Sequence, residues 1–179
     1  SRLRAVEVGS VLAATAGGLA AIRSGRISLK NAYGSELLPL AVPLESQYWN
    51  GTSYIRNQQD SCTTVPASSI AMVNYKNNLS ACETQLAYTS GTGVLVNGVS
   101  KYLRLTKPGV GNNGSVDLRI NLTKADDSTC NSATSTSATS AALPWFGNSN
   151  NLPLHSEDPS ARATFGIFKT PVIYMRENF

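Results

Sequence analysis

The chain has 179 residues with a net charge of +4, of which 15% are charged and 41% hydrophobic, a size that suits one domain with a buried core. Its lysines and arginines are scattered along the whole length instead of forming a basic stripe, which excludes a typical nucleic-acid interface. The single histidine excludes a multi-histidine metal site, and the 52 serine, threonine and asparagine residues indicate an uncharged polar surface rich in turns and strands.

The first 24 residues are predicted to be an extension, with residues 25–179 forming a single domain. Within the extension, Val8–Ile22 is uncharged and rich in alanine and glycine, but it is shorter than the roughly 20 residues that span a bilayer. We expect a strand or loop of small residues here. The alternative is a targeting or anchoring segment, and we predict that the chain is not an integral membrane protein.

Two later segments alternate apolar and polar residues with the period of a β-strand. In Leu38–Glu45 every residue on one face is apolar. Two prolines on the other face favour an edge strand, because proline lacks the N–H that a central ladder needs. Ser115–Thr123 alternates more regularly. Its expected core-facing residues are Val116, Leu118, Ile120 and Leu122, and its expected solvent-facing residues are Asp117, Arg119, Asn121 and Thr123.

Glycine-containing turns between apolar segments predict antiparallel hairpins. Asn50-Gly51 and Asn97-Gly98 are typical of two-residue type I′ turns, in which both residues have positive φ. Gly109–Gly114 is predicted to connect a third hairpin and Lys169–Pro171 a fourth. Because no segment has a sustained helical period, we expect an all-β fold, an antiparallel β-sandwich or partly closed barrel.

Two polar segments are predicted to be long loops. Ser128–Ser140 has low complexity, which favours a surface loop or a disordered insertion. Trp145–Pro159 is rich in asparagine, proline and glycine and is expected to lack regular structure.

The three cysteines indicate a disulfide. Cys62, Cys82 and Cys130 have no CxxC spacing, so a zinc site has little support. In a polar, charge-poor chain they favour an oxidising compartment with one disulfide. We expect Cys62 to pair with Cys82, and the third cysteine to be free or to pair with a partner.

No pattern of residues indicates catalysis, a cofactor or a metal. His155 lies beside Ser156, but a catalytic triad is defined by spatial geometry and not by adjacency in sequence, and the GxSxG motif is absent. The acidic pairs Asp126–Asp127 and Glu157–Asp158 lack the alternating spacing of a calcium loop. We therefore predict a protein that is not an enzyme and binds neither cofactor nor metal.

Aromatic residues cluster around the first predicted hairpin. Tyr48, Trp49 and Tyr54 flank Asn50-Gly51, where cross-strand packing is the expected role. Stacking on a sugar ring is the alternative.

Three segments, Gly25–Gly51, Asp60–Thr63 and Asp158–Phe179, resemble a known family. They contain the sequences NAYGSELL, QYWNG, DSCT and ARATFG, followed by a final aromatic residue. Together they are similar to the C-terminal domain of MshQ-like bacterial proteins, named for the mannose-sensitive haemagglutinin type IV pilus system. Relatives often carry an Asp-rich segment where this chain has Trp145–Asn150, so a metal role for that loop has no support here.

The resemblance implies a secreted protein displayed on the cell surface of a Gram-negative bacterium, and it carries over no catalytic residue. With the polar β architecture, it leads us to expect a non-catalytic extracellular module in adhesion or surface display. The expected partners are other copies of the chain, pilus or surface proteins, and glycans.

Two other functions stay open. The chain could be the subunit of an extracellular filament assembled by strand exchange, because a strand can add to an exposed sheet edge. The candidate donor is the segment from Leu3 through Ala5 and Val6 to Val8. From a different class, a hydrolase acting on glycans is the third hypothesis.

Overall fold

The structure is a computed structural model that describes residues 11–15, 18–22, 24–125, 127–146 and 158–166. Over these ranges the fold is all-β, as predicted, with two short 3-10 turns at Ala67–Ser69 and Pro144–Phe146. The strands in chain order are β1 (Val11–Thr15), β2 (Gly18–Ile22), β3 (Gly25–Leu29), β4 (Ala32–Gly34), β5 (Leu40–Ala41), β6 (Leu44–Trp49), β7 (Tyr54–Arg56), β8 (Ile70–Asn77), β9 (Leu86–Tyr88), β10 (Val99–Ser100), β11 (Leu103–Leu105), β12 (Gly114–Ile120), β13 (Ser128–Thr129), β14 (Thr136–Ser137) and β15 (Ser160–Phe165).

Three sheets build the sandwich. The groove sheet has the order β4-β15-β12-β8 and is antiparallel except for the parallel pair β15–β4. The hairpin sheet has the order β10-β6-β3, with β7 also pairing with β6. A short sheet has the order β5-β11-β9, and β1–β2 and β13–β14 are separate two-stranded pairs. Among the described strands, no sheet closes on itself into a barrel.

A single hydrophobic core joins the three sheets. Leu118 and Phe165 come from the groove sheet, Leu44 from the hairpin sheet and Leu105 from the short sheet, and each is at most 1% exposed. Burying one face of each sheet against the others is what gives the antiparallel sandwich its stability.

The predicted strand Leu38–Glu45 is divided between two sheets, so the prediction of one continuous strand was wrong. β5 pairs with β11 at the edge of the short sheet, whereas β6 lies in the hairpin sheet. Pro43 separates them, because its nitrogen has no hydrogen with which to continue the ladder. The edge position of β5 is confirmed, but Leu38 is 64% exposed and lies outside the core.

The alternation predicted for residues 115–123 holds along β12, whose apolar side chains are buried. Asn121 is the exception, because it was expected to face solvent and is fully buried. The strand ends at Ile120, and the following chain is covered by a later segment in which the Ala141 N–H donates to the Asn121 carbonyl at 2.8 Å.

The predicted hairpin turns have different outcomes. Asn97 and Gly98 have φ of +52° and +74°, as a type I′ turn requires. Asn50-Gly51 does connect a hairpin, but as a four-residue loop in which the Asn50 side chain accepts N–H groups from Thr52 and Ser53. Here the predicted turn type was wrong.

The glycine-rich segment at 109–114 does not connect a hairpin, so that prediction was also wrong. It leads from β11 in the short sheet to β12 in the groove sheet. Lys169–Pro171, predicted to connect the fourth hairpin, lies outside the described residues.

The disulfide joins Cys82 to Cys130, with 5.1 Å between their Cα atoms, and the predicted Cys62–Cys82 pair was wrong. Cys62 is exposed and lies in a turn held by Asp60, which accepts the Cys62 and Thr63 N–H groups. Cys130 follows β13, which packs against β8, and this contact brings it within reach of Cys82. The partners of a disulfide are set by such tertiary contacts.

The polar segment Ser128–Ser140 is therefore more ordered than predicted. It contains the β13–β14 pair, and the buried Thr129 hydroxyl donates to the Ile70 carbonyl at 2.7 Å. Of the second predicted loop, residues 147–157 lie outside the described part of the chain, which includes His155, Ser156 and Glu157.

In the N-terminal extension, β1 and β2 pair antiparallel, in agreement with the strand alternative of the predicted small-residue strand or loop. The candidate donor residues Leu3, Ala5, Val6 and Val8 lie outside the described residues. The domain boundary at residue 25 stays a prediction.

Candidate functional site

The outer face of the groove sheet carries a shallow concavity of about 370 Å³, which we call the groove. All four strands of the sheet, or the residues next to them, contribute to it. Its lining residues are Asn31, Tyr33, Val73, Asn74, Asp117, Leu118, Arg119, Ser160, Ala161 and Arg162.

An ion pair between Asp117 and Arg162 lies in the groove, whose lining includes both residues. The β12–β15 register places the two residues directly opposite each other, and Arg162 donates from Nε to Oδ1 at 2.7 Å and from Nη2 to Oδ2 at 3.4 Å. The hydrogen bond from Arg162 holds the pKa of the Asp117 carboxyl below its ordinary value, against the opposing effect of partial burial. Asp117 is therefore a fixed carboxylate at neutral pH.

A β-bulge in β8 brings Asn74 into the groove. Val73 pairs with Asp117 and Lys76 with Ser115, so that two residues of β8 lie opposite one residue of β12. Asn74 adopts a left-handed φ of +55°, and its Nδ2 donates to Asp117 Oδ2 at 3.2 Å.

The other bulge residue, Tyr75, packs against the core instead. Its hydroxyl lies 3.5 Å from Cys130 Sγ. Of the two bulge residues, Asn74 thus lies in the groove and Tyr75 faces the interior.

The edge strand β4 supplies the opposite wall of the groove. Asn31, just before β4, accepts the Arg162 backbone N–H through Oδ1 at 2.8 Å. Two residues further along, Tyr33 is 71% exposed. An aromatic ring therefore stands at the rim of a polar floor.

A second ion pair involves the lining residue Arg119, whose Nη1 is 3.2 Å from Asp127 Oδ2. Each of the two lining arginines therefore already contacts an aspartate, although Asp127 itself does not line the groove and Lys76 also acts on Asp117.

The aromatic cluster of the first hairpin has the packing role that was expected. Trp49 pairs with Tyr54 across β6 and β7, with 5.2 Å between ring centroids in an edge-on arrangement. The Arg26 guanidinium covers the Tyr54 ring at 4.1 Å. The Tyr54 ring is thus already in contact with both Trp49 and Arg26.

The groove was not found by sequence reasoning, which named cysteines and an N-terminal donor as its site residues. Alternation did place Asp117 on an outer face, and the motifs NAYGSELL and ARATFG contain Asn31, Tyr33 and Arg162. Nothing in the sequence signalled the bulge that adds Asn74.

Among the residues that the structure describes, no three His, Cys, Asp or Glu side chains come together as a metal site would require. In the same ranges, no helix has the length and apolar character to cross a bilayer.

Comparison with known families identifies one match. The family model described as DUF6701, fourth domain, matches residues 23–178. No curated protein and no solved structure matches the chain. The match covers most of the sequence, so the chain belongs to the DUF6701 family.

Proposed function

We propose that this member of the DUF6701 family is a non-catalytic extracellular β module of a bacterial surface protein, acting in adhesion or surface display. The observation that carries the proposal is the groove. It is a preorganised, polar concavity on the outer face of a sheet, which is the kind of surface that recognises a partner from solution. Its polar groups are held by strand pairing and hydrogen bonds instead of by a flexible loop.

Other features support the location. The Cys82–Cys130 disulfide favours an oxidising compartment. The description of the matching family model as a fourth domain supports a place in a multidomain protein. The resemblance to MshQ-like proteins supports the surface of a Gram-negative bacterium and an association with pili.

We do not propose a hydrolase. Glycoside hydrolysis needs two carboxylates flanking the scissile bond, and among the described residues that line the groove Asp117 is the only acid, already bound by Arg162.

The test of adhesion uses the 179-residue chain exported to an oxidising periplasm and coupled to beads. We expect coated beads to adhere to at least one of a panel of epithelial cells, red cells and bacterial pili. The matched control is the same chain reduced, alkylated and unfolded. Adhesion by the folded chain that is no greater than that of the unfolded control would contradict the proposal.

The filament of strand-exchanged subunits is a second candidate, favoured by the antiparallel β1–β2 pair that precedes β3 in the chain. A ladder of oligomers in unboiled gels that disappears on deletion of residues 1–24 would support it. A monomer at all concentrations would exclude it.

A further inference from the structure

We propose that the groove binds a neutral hexopyranose at the end of a glycan. This inference rests on the proposed function in adhesion and names the class of ligand. It uses the Asp117–Arg162 pair, Asn74 and the exposed ring of Tyr33.

The floor of the groove offers donors and acceptors side by side. Asp117 receives hydrogen bonds from Arg162 and Asn74, and a carboxylate retains acceptor capacity beyond them. Arg162 uses two of its N–H groups on Asp117, and a guanidinium has more. Two neighbouring sugar hydroxyls, one donating to the carboxylate and one accepting from the guanidinium, match this arrangement.

These polar groups do not need to reorganise on binding. Asn31 fixes the backbone of Arg162, and the bulge fixes Asn74. Because the side chains are already ordered, a ligand gains hydrogen bonds to charged groups without ordering them first.

Tyr33 supplies the apolar part of the site. A pyranose ring has a face of C–H groups, and an exposed aromatic ring can cover it while the hydroxyls reach polar groups below. Tyr33 is 71% exposed, whereas Tyr54 on the hairpin sheet is covered by Arg26 and Trp49. The free ring therefore lies beside the polar floor.

Size and charge narrow the ligand. A volume of about 370 Å³ is near the lower limit of ligand pockets, which suits a terminal sugar better than a long oligosaccharide. Arg162 already contacts Asp117 and Arg119 already contacts Asp127, so neither guanidinium is an unpaired cation offered to an acidic sugar. This pairing favours a neutral hexose.

The test is a glycan array probed with the 179-residue chain, followed by NMR titration with the best-binding glycan. The array carries glycans ending in glucose, galactose, mannose, N-acetylglucosamine and sialic acid. We expect binding to a neutral hexose terminus, unchanged by EDTA, with shift changes on β4, β12 and β15.

Variants locate the site. We expect Asp117→Asn to weaken binding about tenfold or more, since it removes a hydrogen bond to a charged group. Tyr33→Ala should weaken it about two- to tenfold. The controls are Glu45→Gln, which breaks an ion pair on the hairpin sheet, and Tyr102→Ala, which removes an exposed tyrosine elsewhere. Both controls should bind as the unmodified chain does.

The outcomes separate this inference from the proposed function. Adhesion without any binding on the array, with binding only to sialylated glycans, or with shift changes confined to the first hairpin would overturn the groove assignment and leave adhesion standing. Loss of binding in the control variants as well as in Asp117→Asn would also overturn it. Neither adhesion nor glycan binding would overturn both.

Discussion

The outer faces of the groove sheet and the hairpin sheet carry similar residues in different arrangements. Each has an ion pair between neighbouring strands: Asp117–Arg162 on the groove sheet and Lys30–Glu45, at 2.9 Å, on the hairpin sheet. Each also has a tyrosine. On the hairpin sheet Tyr54 is covered by Arg26, which also donates to Gln47. These side chains of that face therefore already contact one another.

The difference between the two faces comes from the backbone. The bulge in β8 adds Asn74 to the Asp117–Arg162 pair, and the short edge strand β4 leaves Tyr33 uncovered beside it. Residue types alone therefore do not distinguish a recognition surface from a packed one. The two kinds of surface differ in whether neighbouring side chains already contact the aromatic ring and the polar atoms.

The largest expected effect is on the free energy of unfolding, and it tests whether the two sheets share one core. Leu118 lies beneath the groove and Leu44 beneath the hairpin sheet, and both are fully buried. We expect Leu118→Ala and Leu44→Ala each to lower the free energy of unfolding by about 2–5 kcal/mol, measured by urea titration.

The control for the core variants is Val110→Ala, because Val110 is 86% exposed. We expect it to change the free energy of unfolding by no more than about 0.5 kcal/mol. If Leu118→Ala left the Trp49 fluorescence transition in place, the two sheets would be separate folding units.

The next effect concerns the disulfide, which lies next to β8 on the core side of the groove sheet. Replacing Cys82 and Cys130 together by serine is expected to lower the free energy of unfolding by about 2–4 kcal/mol, because the bond closes a loop with a sequence separation of 48. Hydrogen exchange should accelerate more in β8 than in β3.

Cys62→Ser is the control for the disulfide variant, and its stability should stay within about 0.5 kcal/mol of the parent. A destabilisation by Cys62→Ser equal to that of the double variant would contradict the Cys82–Cys130 pairing.

A smaller effect distinguishes the two ion pairs. Glu45→Gln removes a partly exposed pair and should cost about 0–1 kcal/mol. Asp117→Asn should cost more than Glu45→Gln, since Asp117 also accepts from Asn74, and less than the loss of the disulfide. Urea titration of both variants measures the order, and equal costs would show that the bulge adds nothing to stability.

The smallest effect is in the pH dependence. The Arg162 hydrogen bond lowers the folded-state pKa of Asp117 below its ordinary value of 3.8, so this carboxylate contributes stability above about pH 4. That contribution is lost as the pH falls through the folded-state pKa.

We therefore expect the stability of Asp117→Asn to decrease less steeply below pH 4 than that of the parent chain. Thermal unfolding between pH 2.5 and 7 measures this. Parallel profiles would show that the pKa of Asp117 does not differ between the folded and unfolded states.

Local patterns predicted the fold better than they predicted the site. The inward face of β12 and the Asn97-Gly98 turn follow from alternation and from φ preferences, which act over a few residues. The division of Leu38–Glu45 between two sheets and the burial of Asn121 depend on which distant segments cover them, so alternation alone could not give them.

The site depended still more on distant contacts. Cys82 meets Cys130 because β13 packs against β8, a contact that no spacing of cysteines encodes. The groove combines residues of β4, β8, β12 and β15. Of these residues, Asp117 and Arg119 could be placed on an outer face in advance, because their strand alternates so regularly.

The pairing of β15 with β4 also bears on when the groove comes into existence during synthesis. The hydrogen bond from Arg162 to Asn31 spans 131 residues, and the bond from Arg162 to Asp117 spans 45. Pairings over such separations close large loops and form late in folding. A chain emerging from the ribosome therefore has no groove until β15 docks, and the surface proposed for recognition becomes competent only in the completed domain.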